Sequence, residues 1–460
     1  MFKKFIGDRA FYRRVMLVAV PIIIQNGITN FVSLLDNIMV GQVGTIPMSG
    51  VTIVNQLVFV FNLCLFGATS GPGIFTAQFY GSGDHEGIRH TFRFKFLVCT
   101  LLAALGITIF SIGGTPLIGL YLTGEGDAHE ASQMLSYGLE YLKIILIGFL
   151  PFAICNSYSS TLRESGQTMV PMLGGVAAVF VNLILNYILI FGKFGAPALG
   201  VAGAAWATSI SRFVELAIVA GWTHLNAQKM PFIQGAYRSF RIPRQLSRAI
   251  TFKGLPLLVN EFLWSSGMAF LAQCYSTCGL DVVPAFNIAN TIFNLSSVAF
   301  LAMGSAVGII MGQMLGAGNS ETEVRDANNK LIFVAVLCGL IFGSGMASVS
   351  GIFPRLYNTT DTVRWIAKML ILITAGIMPF NAYTTSTYFT LRSGGKTAIT
   401  FIFDCGFVWC VIVPIAFCLS RFTAMPIIPL YLICQCTDFL KCAIGYYMIK
   451  KGTWIQNLTA

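Results

Sequence analysis

SGPGIFTAQFYGSGDHE at residues 70–86 and SAVGIIMGQMLGAGNSE at residues 305–321 share one pattern. Ser70 meets Ser305, Gly73 meets Gly308 and Gln78 meets Gln313, all at a single offset of 235 residues. Gly81 with Gly316, Gly83 with Gly318 and Glu86 with Glu321 continue the match. The same offset holds upstream, where Pro21 falls on Pro256, Gly44 on Gly279, Ile53 on Ile288 and Asn55 on Asn290. Downstream, TLRESGQT (161–168) is echoed by TLRSGGKT (390–397), with Pro-Phe pairs at 151–152 and 379–380 ahead of them. Chance supplies one or two such identities, not a set in register. The chain therefore reads as two related halves.

Composition says what the halves are made of. Of 460 residues, 55% are hydrophobic and only 10% charged, and the mean hydropathy is +0.74. Soluble domains carry about 25% charged residues, so most of this surface is built to face lipid. A helix needs about 20 apolar residues to cross a bilayer. On that ruler twelve spans are expected, at roughly 15–42, 51–79, 92–112, 134–158, 169–192, 200–223, 248–277, 283–311, 330–352, 365–389, 397–420 and 424–449. The runs are continuous and too long for β-barrel strands.

The expectation is an all-α integral membrane protein, with twelve transmembrane helices in two pseudo-symmetric six-helix bundles. Residues 1–223 form an N-lobe, 224–247 a basic linker and 248–460 a C-lobe. Six is an even number, so the halves are parallel repeats about an axis along the membrane normal, a plan of transporters that work by alternating access.

Lys and Arg orient the spans. With both termini on one side, that side receives Lys3, Lys4, Arg9, Arg13, Arg14, Arg89, Arg93, Lys95, the basic linker and Lys450–Lys451. The other side has the acidic loop with Glu125, Asp127 and Glu130. Both ends are therefore expected on the cytoplasmic side of the inner membrane. The net charge of +11 follows from this bias and not from nucleic-acid binding. The basic, apolar N-terminus has no small-residue cleavage site after it and reads as an uncleaved first span. Most of the 12 cysteines lie singly in apolar runs, and the four histidines are expected in loops. No metal or haem set is expected, and no cofactor.

The polar residues inside the spans point to function. On the first span Gln25, Asn26, Thr29, Asn30, Ser33, Asp36 and Asn37 recur at helical spacing on one face. The eighth repeats this with Asn287, Asn290, Asn294 and Ser297, and the fifth offers Asn182 and Asn186 one turn apart. In hydrocarbon such groups go unsatisfied, so the faces are expected to line a hydrated cavity. Their alternative use is as interhelical glue, worth about 0.6 kcal/mol each.

Glu140 with Lys143, Arg212 with Glu215 and Asp438 with Lys441 are each spaced to neutralise one another. Asp36, Glu261 and Asp404 have no such neighbour, and each costs about 2.5–3.5 kcal/mol at a helix centre. That cost suits an acid that must hold a cation. Such a carboxylate serves coupling by carrying a proton or by binding Na⁺ with amide and hydroxyl oxygens.

These residues carry a resemblance. P-x₁₄-D-x-I-M-x-G across Pro21, Asp36, Ile38, Met39 and Gly41 is similar to the multidrug and toxic compound extrusion (MATE) family. So are Q-x₂-G-x-G at Gln78 and Gln313, and the run from Asn182 to Gly195 followed by GVAGAAWAT, which ends at Thr208.

The resemblance covers essentially the whole chain and leans toward the NorM-type branch. It implies an antiporter that expels organic cations against H⁺ or Na⁺. Asp36 and Glu261 would be coupling carboxylates, Asn182, Asn186, Gln25 and Thr208 the supporting N-lobe cavity, and Asn287, Asn290 and Asp404 the C-lobe cavity. The partners implied are small organic cations and the bilayer, with the chain acting as a monomer without an obligate protein partner. A flippase of lipid-linked saccharides is the competing use of the same architecture. It calls for Arg or Lys to hold a pyrophosphate, and Arg212 is the one cation expected deep in a span. A membrane enzyme would need a nucleophile–base pair or metal cluster, and HEAS at 129–132 lacks the second His of a zinc motif.

Overall fold

The computed structural model describes residues 5–122, 128–423 and 425–459, without the side chains of Ser33, Leu34, Asn37 and Ala128. Lys3, Lys4, Glu125 and Asp127, and the side chains of Ser33 and Asn37 in the polar stripe, thus lie outside the described residues. Among those described the chain is helical throughout, with no strand. The long helices are α1 (Arg9–Gly41), α2 (Thr45–Ser82), α3 (His85–Leu122), α4 (Ala128–Ile145), α5 (Phe149–Glu164), α6 (Met169–Phe191) and α7 (Val201–Leu225). After them come α8 (Arg244–Ser276), α9 (Val282–Gly316), α10 (Glu321–Val349) and α11 (Asp361–Ser393). A stretch at 397–422 then opens with α12 (Thr397–Phe401), passes through two π-helical segments and ends with α13 (Val413–Phe422). The last helix is α14 (Ile427–Lys451). α4 and α5 are joined by a single 3₁₀ turn, so together they make one span.

Eleven of these helical stretches are long and apolar enough to cross a membrane. The sixth expected span, 200–223, corresponds to α7, which is not among the eleven. Arg212, Glu215 and several serines and threonines dilute its apolar character. Local sequence sets several ends. Ser320 caps α10, accepting from the Glu323 N–H at 3.4 Å, while Glu323 accepts from the Ser320 N–H at 3.2 Å. Gly192 and Gly452 close α6 and α14 in the left-handed conformation.

The chain packs as two compact units. One contains Ile24–Thr76 and Asp84–Thr251. Its core gathers Val54, Leu65, Cys99, Ile118, Leu142 and Ala205, with Phe61 stacked on Phe149 at 4.1 Å between ring centres. The basic linker belongs to this unit and is not simply solvated. Phe232 and Ala236 are buried, and Arg93 donates to the Ala236 and Gly235 carbonyls at 2.8 and 2.9 Å.

The other unit contains Met1–Ile23, Ala77–Gly83 and Phe252–Ala460. Here the repeated Q-x₂-G motif meets its own copy. A Cβ on Gly81 would fall 2.0 Å from the Gln313 carbonyl oxygen, and one on Gly316 would fall 1.9 Å from that of Gln78. Only glycine lets the two backbones approach this closely. In lipid, apolar surface alone does not drive helices together, so close fits of this kind carry the association. The two glutamines then diverge. Gln78 donates to the Ser393 carbonyl at 2.9 Å and accepts from the Leu458 N–H at 2.7 Å, while Gln313 accepts from Arg14 at 3.0 Å.

Candidate functional site

α1 and α6 run side by side in parallel register. Gln25 lies against Gly175, where a Cβ would sit 2.7 Å from its amide nitrogen, and eleven residues further along each helix Asp36 meets Asn186. Glycine at 175 therefore lets the polar stripe of α1 face α6. The Asn186 amide donates to Asp36 Oδ1 at 2.6 Å. The Asn182 amide, oriented to satisfy both its partners, places its nitrogen 3.0 Å from each Asp36 oxygen and accepts from Thr208 Oγ1 at 3.1 Å. None of the ion pairs among the described residues includes Asp36. Asn186 is buried, and its Oδ1 has no hydrogen-bond partner.

Asp36 thus opens onto a cavity of about 300 Å³ with Gln25, Thr29, Asn182, Thr208 and Arg212 in its walls. An acid held by amide donors alone keeps its negative charge uncompensated. With the unpartnered Asn186 oxygen beside it, the set is an oxygen-rich seat for a proton or a hard cation such as Na⁺.

The acids of the other unit are placed differently. Glu261 on α8 accepts from the Tyr388 hydroxyl of α11 at 3.4 Å. Asp404 lies in the first π-helical segment. It accepts from the Lys441 ammonium of α14 at 2.9 Å and from the Asn260 amide at 3.1 Å. Asp404, without a partner at helical spacing on its own segment, thus finds one on another helix. Lys441, expected to neutralise Asp438 one turn away on its own helix, bonds instead to an acid 37 residues distant. The packing of α14 against the 397–422 stretch decides the pairing, and it also lays Lys441 over the Phe403 ring at 5.2 Å.

Of the other spaced pairs, Arg212 and Glu215 join at 3.2 Å, while Glu140 and Lys143 are not among the ion pairs of the described residues. On α9, Asn287 is exposed and Asn290 half-buried, and neither hydrogen-bonds to Glu261 or Asp404.

Arg212 is not the only cation within the helices. Lys95, with no exposed surface, is paired with Glu164. Lys441 is nearly buried, and Arg163 lines the same cavity as Asp36. Along the sequence Lys95 belongs to a basic flank and Arg163 to a repeat motif, and only packing shows where their side chains go. Tyr388 sits inside TTSTYFTLRSGG with no spacing rule to tie it to an acid 127 residues away.

A polytopic helical protein with a repeated half and a polar cavity is a membrane transporter in architecture, and comparison with known proteins agrees. The family model described as MatE matches residues 21–188 and again 256–417. These two segments begin at Pro21 and Pro256, the pair that anchors the internal offset. Relatives include the probable multidrug resistance protein NorM of Thermotoga maritima, 24% identical over 448 residues, covering 96% of this chain and 93% of that one. Another is the probable multidrug resistance protein YoeA of Bacillus subtilis, 25% identical over 431 residues, covering 91% and 89%. Among solved structures, an outward-facing multidrug resistance MATE family transporter of the MOP superfamily superposes with a TM-score of 0.84. That match has 19% identity and covers 98% of both chains. The chain belongs to the MATE family of membrane transporters. It is not an enzyme.

Proposed function

We propose that this protein exports organic cations, drugs among them, across the cytoplasmic membrane in exchange for H⁺ or Na⁺. On this reading Asp36 and Glu261 are the coupling carboxylates, Gln25, Asn182, Asn186 and Thr208 support the first, and Asn287, Asn290 and Asp404 lie along the C-lobe side of the path. The N-lobe (1–223), linker (224–247) and C-lobe (248–460) form the moving parts, with both termini cytoplasmic and the chain working as a monomer. Family membership and the multidrug resistance names of its relatives support the export reading.

The observation that carries the coupling role is the Asp36 carboxylate, bonded to amides only and facing a cavity. A bare charge in a site that must close to water is unfavourable, by several kcal/mol. The closed intermediate is therefore accessible when a small cation or a cationic cargo neutralises Asp36. The cavity moves with one or the other, and that alternation is antiport. A ligand shifts such a two-state carrier only through its differential affinity for the two states.

Inverted vesicles loaded with a fluorescent organic cation test this, with a pH gradient and a Na⁺ gradient imposed separately. One of the two gradients should drive transport in wild type and neither in Asp36→Asn. Equal gradient-driven rates in wild type and variant, at matched abundance, would remove Asp36 from the coupling step.

A further inference from the structure

In the unit that contains Phe252–Ala460, where α10 begins and α14 finishes, lies a cavity of about 380 Å³ that none of the coupling residues lines. One wall is a single face of α10. Arg325, Asn328, Asn329, Ile332, Phe333 and Val336 line it, spaced alternately by three and one so that they stack along the helix. From Arg325 to Val336 the stripe runs about 16 Å, and its character changes on the way. The first three residues are charged or amide-bearing and the last three are apolar. Tyr446 and Lys450, one turn apart on α14, and Tyr383 of α11 add to the lining. Near the start of the chain Phe5 packs on Phe333, with 5.9 Å between ring centres.

The polar end is short of acceptors. Arg325 is already engaged, its Nε and Nη2 meeting the Glu321 carboxylate at 2.8 and 2.7 Å. Its Nη1 donates to the Lys450 carbonyl at 2.9 Å, which fastens the end of α14 to α10. The Lys450 ammonium is in none of the ion pairs of the described residues and lies 6.0 Å from the centre of the Tyr446 ring. Asn328 has no exposed surface. Its Oδ1 accepts from Thr390 Oγ1 at 2.6 Å, while its amide nitrogen has no hydrogen-bond partner among the described residues. A buried donor left unpaired bears the full cost of its desolvation. An ammonium and a buried amide both call for an anionic oxygen, and the apolar stripe beyond them calls for hydrocarbon.

We propose that this cavity binds an anionic phospholipid, its phosphate oxygens accepting from the Lys450 ammonium and the Asn328 amide, and one acyl chain starting along Ile332, Phe333 and Val336. A basic pocket between transmembrane helices is a setting in which anionic headgroups are held. A zwitterionic lipid offers the same phosphate but brings a second cation to a mouth whose acid, Glu321, is taken by Arg325. A free phosphate would leave the apolar stripe uncovered. The bound lipid would tie α10, α11 and α14 together at one end of the unit, whichever ion drives export.

Native mass spectrometry of the full chain in detergent counts retained lipid as dioleoyl phosphatidylglycerol or dioleoyl phosphatidylcholine is titrated in. Wild type should hold one phosphatidylglycerol per chain about tenfold more tightly than phosphatidylcholine. Lys450→Gln should lower the phosphatidylglycerol affinity about fivefold, the scale of one basic residue at a membrane surface. Lys451→Gln, the same change of charge outside the cavity wall, should move it less than about twofold. Val336→Trp fills the apolar end and should weaken both lipids. Equal retention of the two lipids, or equal losses in Lys450→Gln and Lys451→Gln, would reduce the effect to diffuse surface charge and overturns the proposal. Displacement of the lipid by an equal concentration of glycerol 3-phosphate would leave an anion site with no seat for a tail. An affinity unmoved by Val336→Trp would say the same, and either result sinks the lipid assignment.

Discussion

Asp36 and Asp404 begin as the same object, a single acid set among apolar residues, and they end in opposite electrostatic states. Asp36 is surrounded by the amides of Asn182 and Asn186, which satisfy its lone pairs without cancelling its charge. Asp404 receives one amide from Asn260 and an ammonium from Lys441 at 2.9 Å. Hydrogen bonding and neutralisation are separate services, and a site that must accept a mobile cation can have only the first. On the proposed function the exchangeable charge is that of Asp36, whereas Asp404 sits in an ion pair with Lys441. Glu261, bonded weakly to Tyr388 at 3.4 Å and in none of the ion pairs of the described residues, yet within the field of Arg392, lies between these extremes.

The largest effect should come from removing the uncompensated charge. Asp36→Asn should cut gradient-driven dye efflux about tenfold or more, and Glu261→Gln only about threefold, measured at equal membrane abundance. Equal losses in the two variants would erase the distinction between them.

Next in size is the test of the backbone crossing in the second unit. Gly316→Ala forces a methyl group into the Gln78 carbonyl and should lower the thermal midpoint and the yield of folded protein. Gly345→Ala, on α10 with nothing within 4 Å of a new Cβ, is the control and should match wild type or exceed it slightly.

Lys441→Met leaves Asp404 nearly buried without its cation and should destabilise the protein by about 3 kcal/mol. Adding Asp404→Leu should restore most of that loss, because an apolar pair needs no neutralisation. Thermal unfolding of the two variants decides, and an unperturbed Lys441→Met would show that the pair has no structural role. Smallest of the four, Asn182→Ala removes one amide from Asp36 and should weaken coupling-ion affinity about threefold, the scale of a single polar contact between membrane helices. A change well beyond that would mean that Asn182 ligates the ion directly.

Much of this was legible along the chain. The spans follow from apolar length alone, and the duplicated halves follow from residues in register. Glycines at 81 and 316 recur because a backbone contact admits no side chain, so a tertiary constraint left a one-dimensional trace. Asp36, Asn182 and Asn186 were also readable, because a polar group in a lipid-soluble helix stands out against its surroundings. Lys441 shows where that reading fails. On its own helix the nearest acid is Asp438, and spacing rules choose it, yet the ammonium turns to a helix that arrives from elsewhere in the chain. Arg163 hid in the same way inside a repeated TLR triplet.

The order of residues determined, by itself, a membrane-embedded helical protein of two related halves with acids set in its helices. Hydropathy and helical period are local properties, and no partner is needed to read them. Which acid is cancelled and which is left bare was decided only by tertiary packing. Charges interact through space over a few ångströms, and the helices that bring them within that range are far apart along the chain.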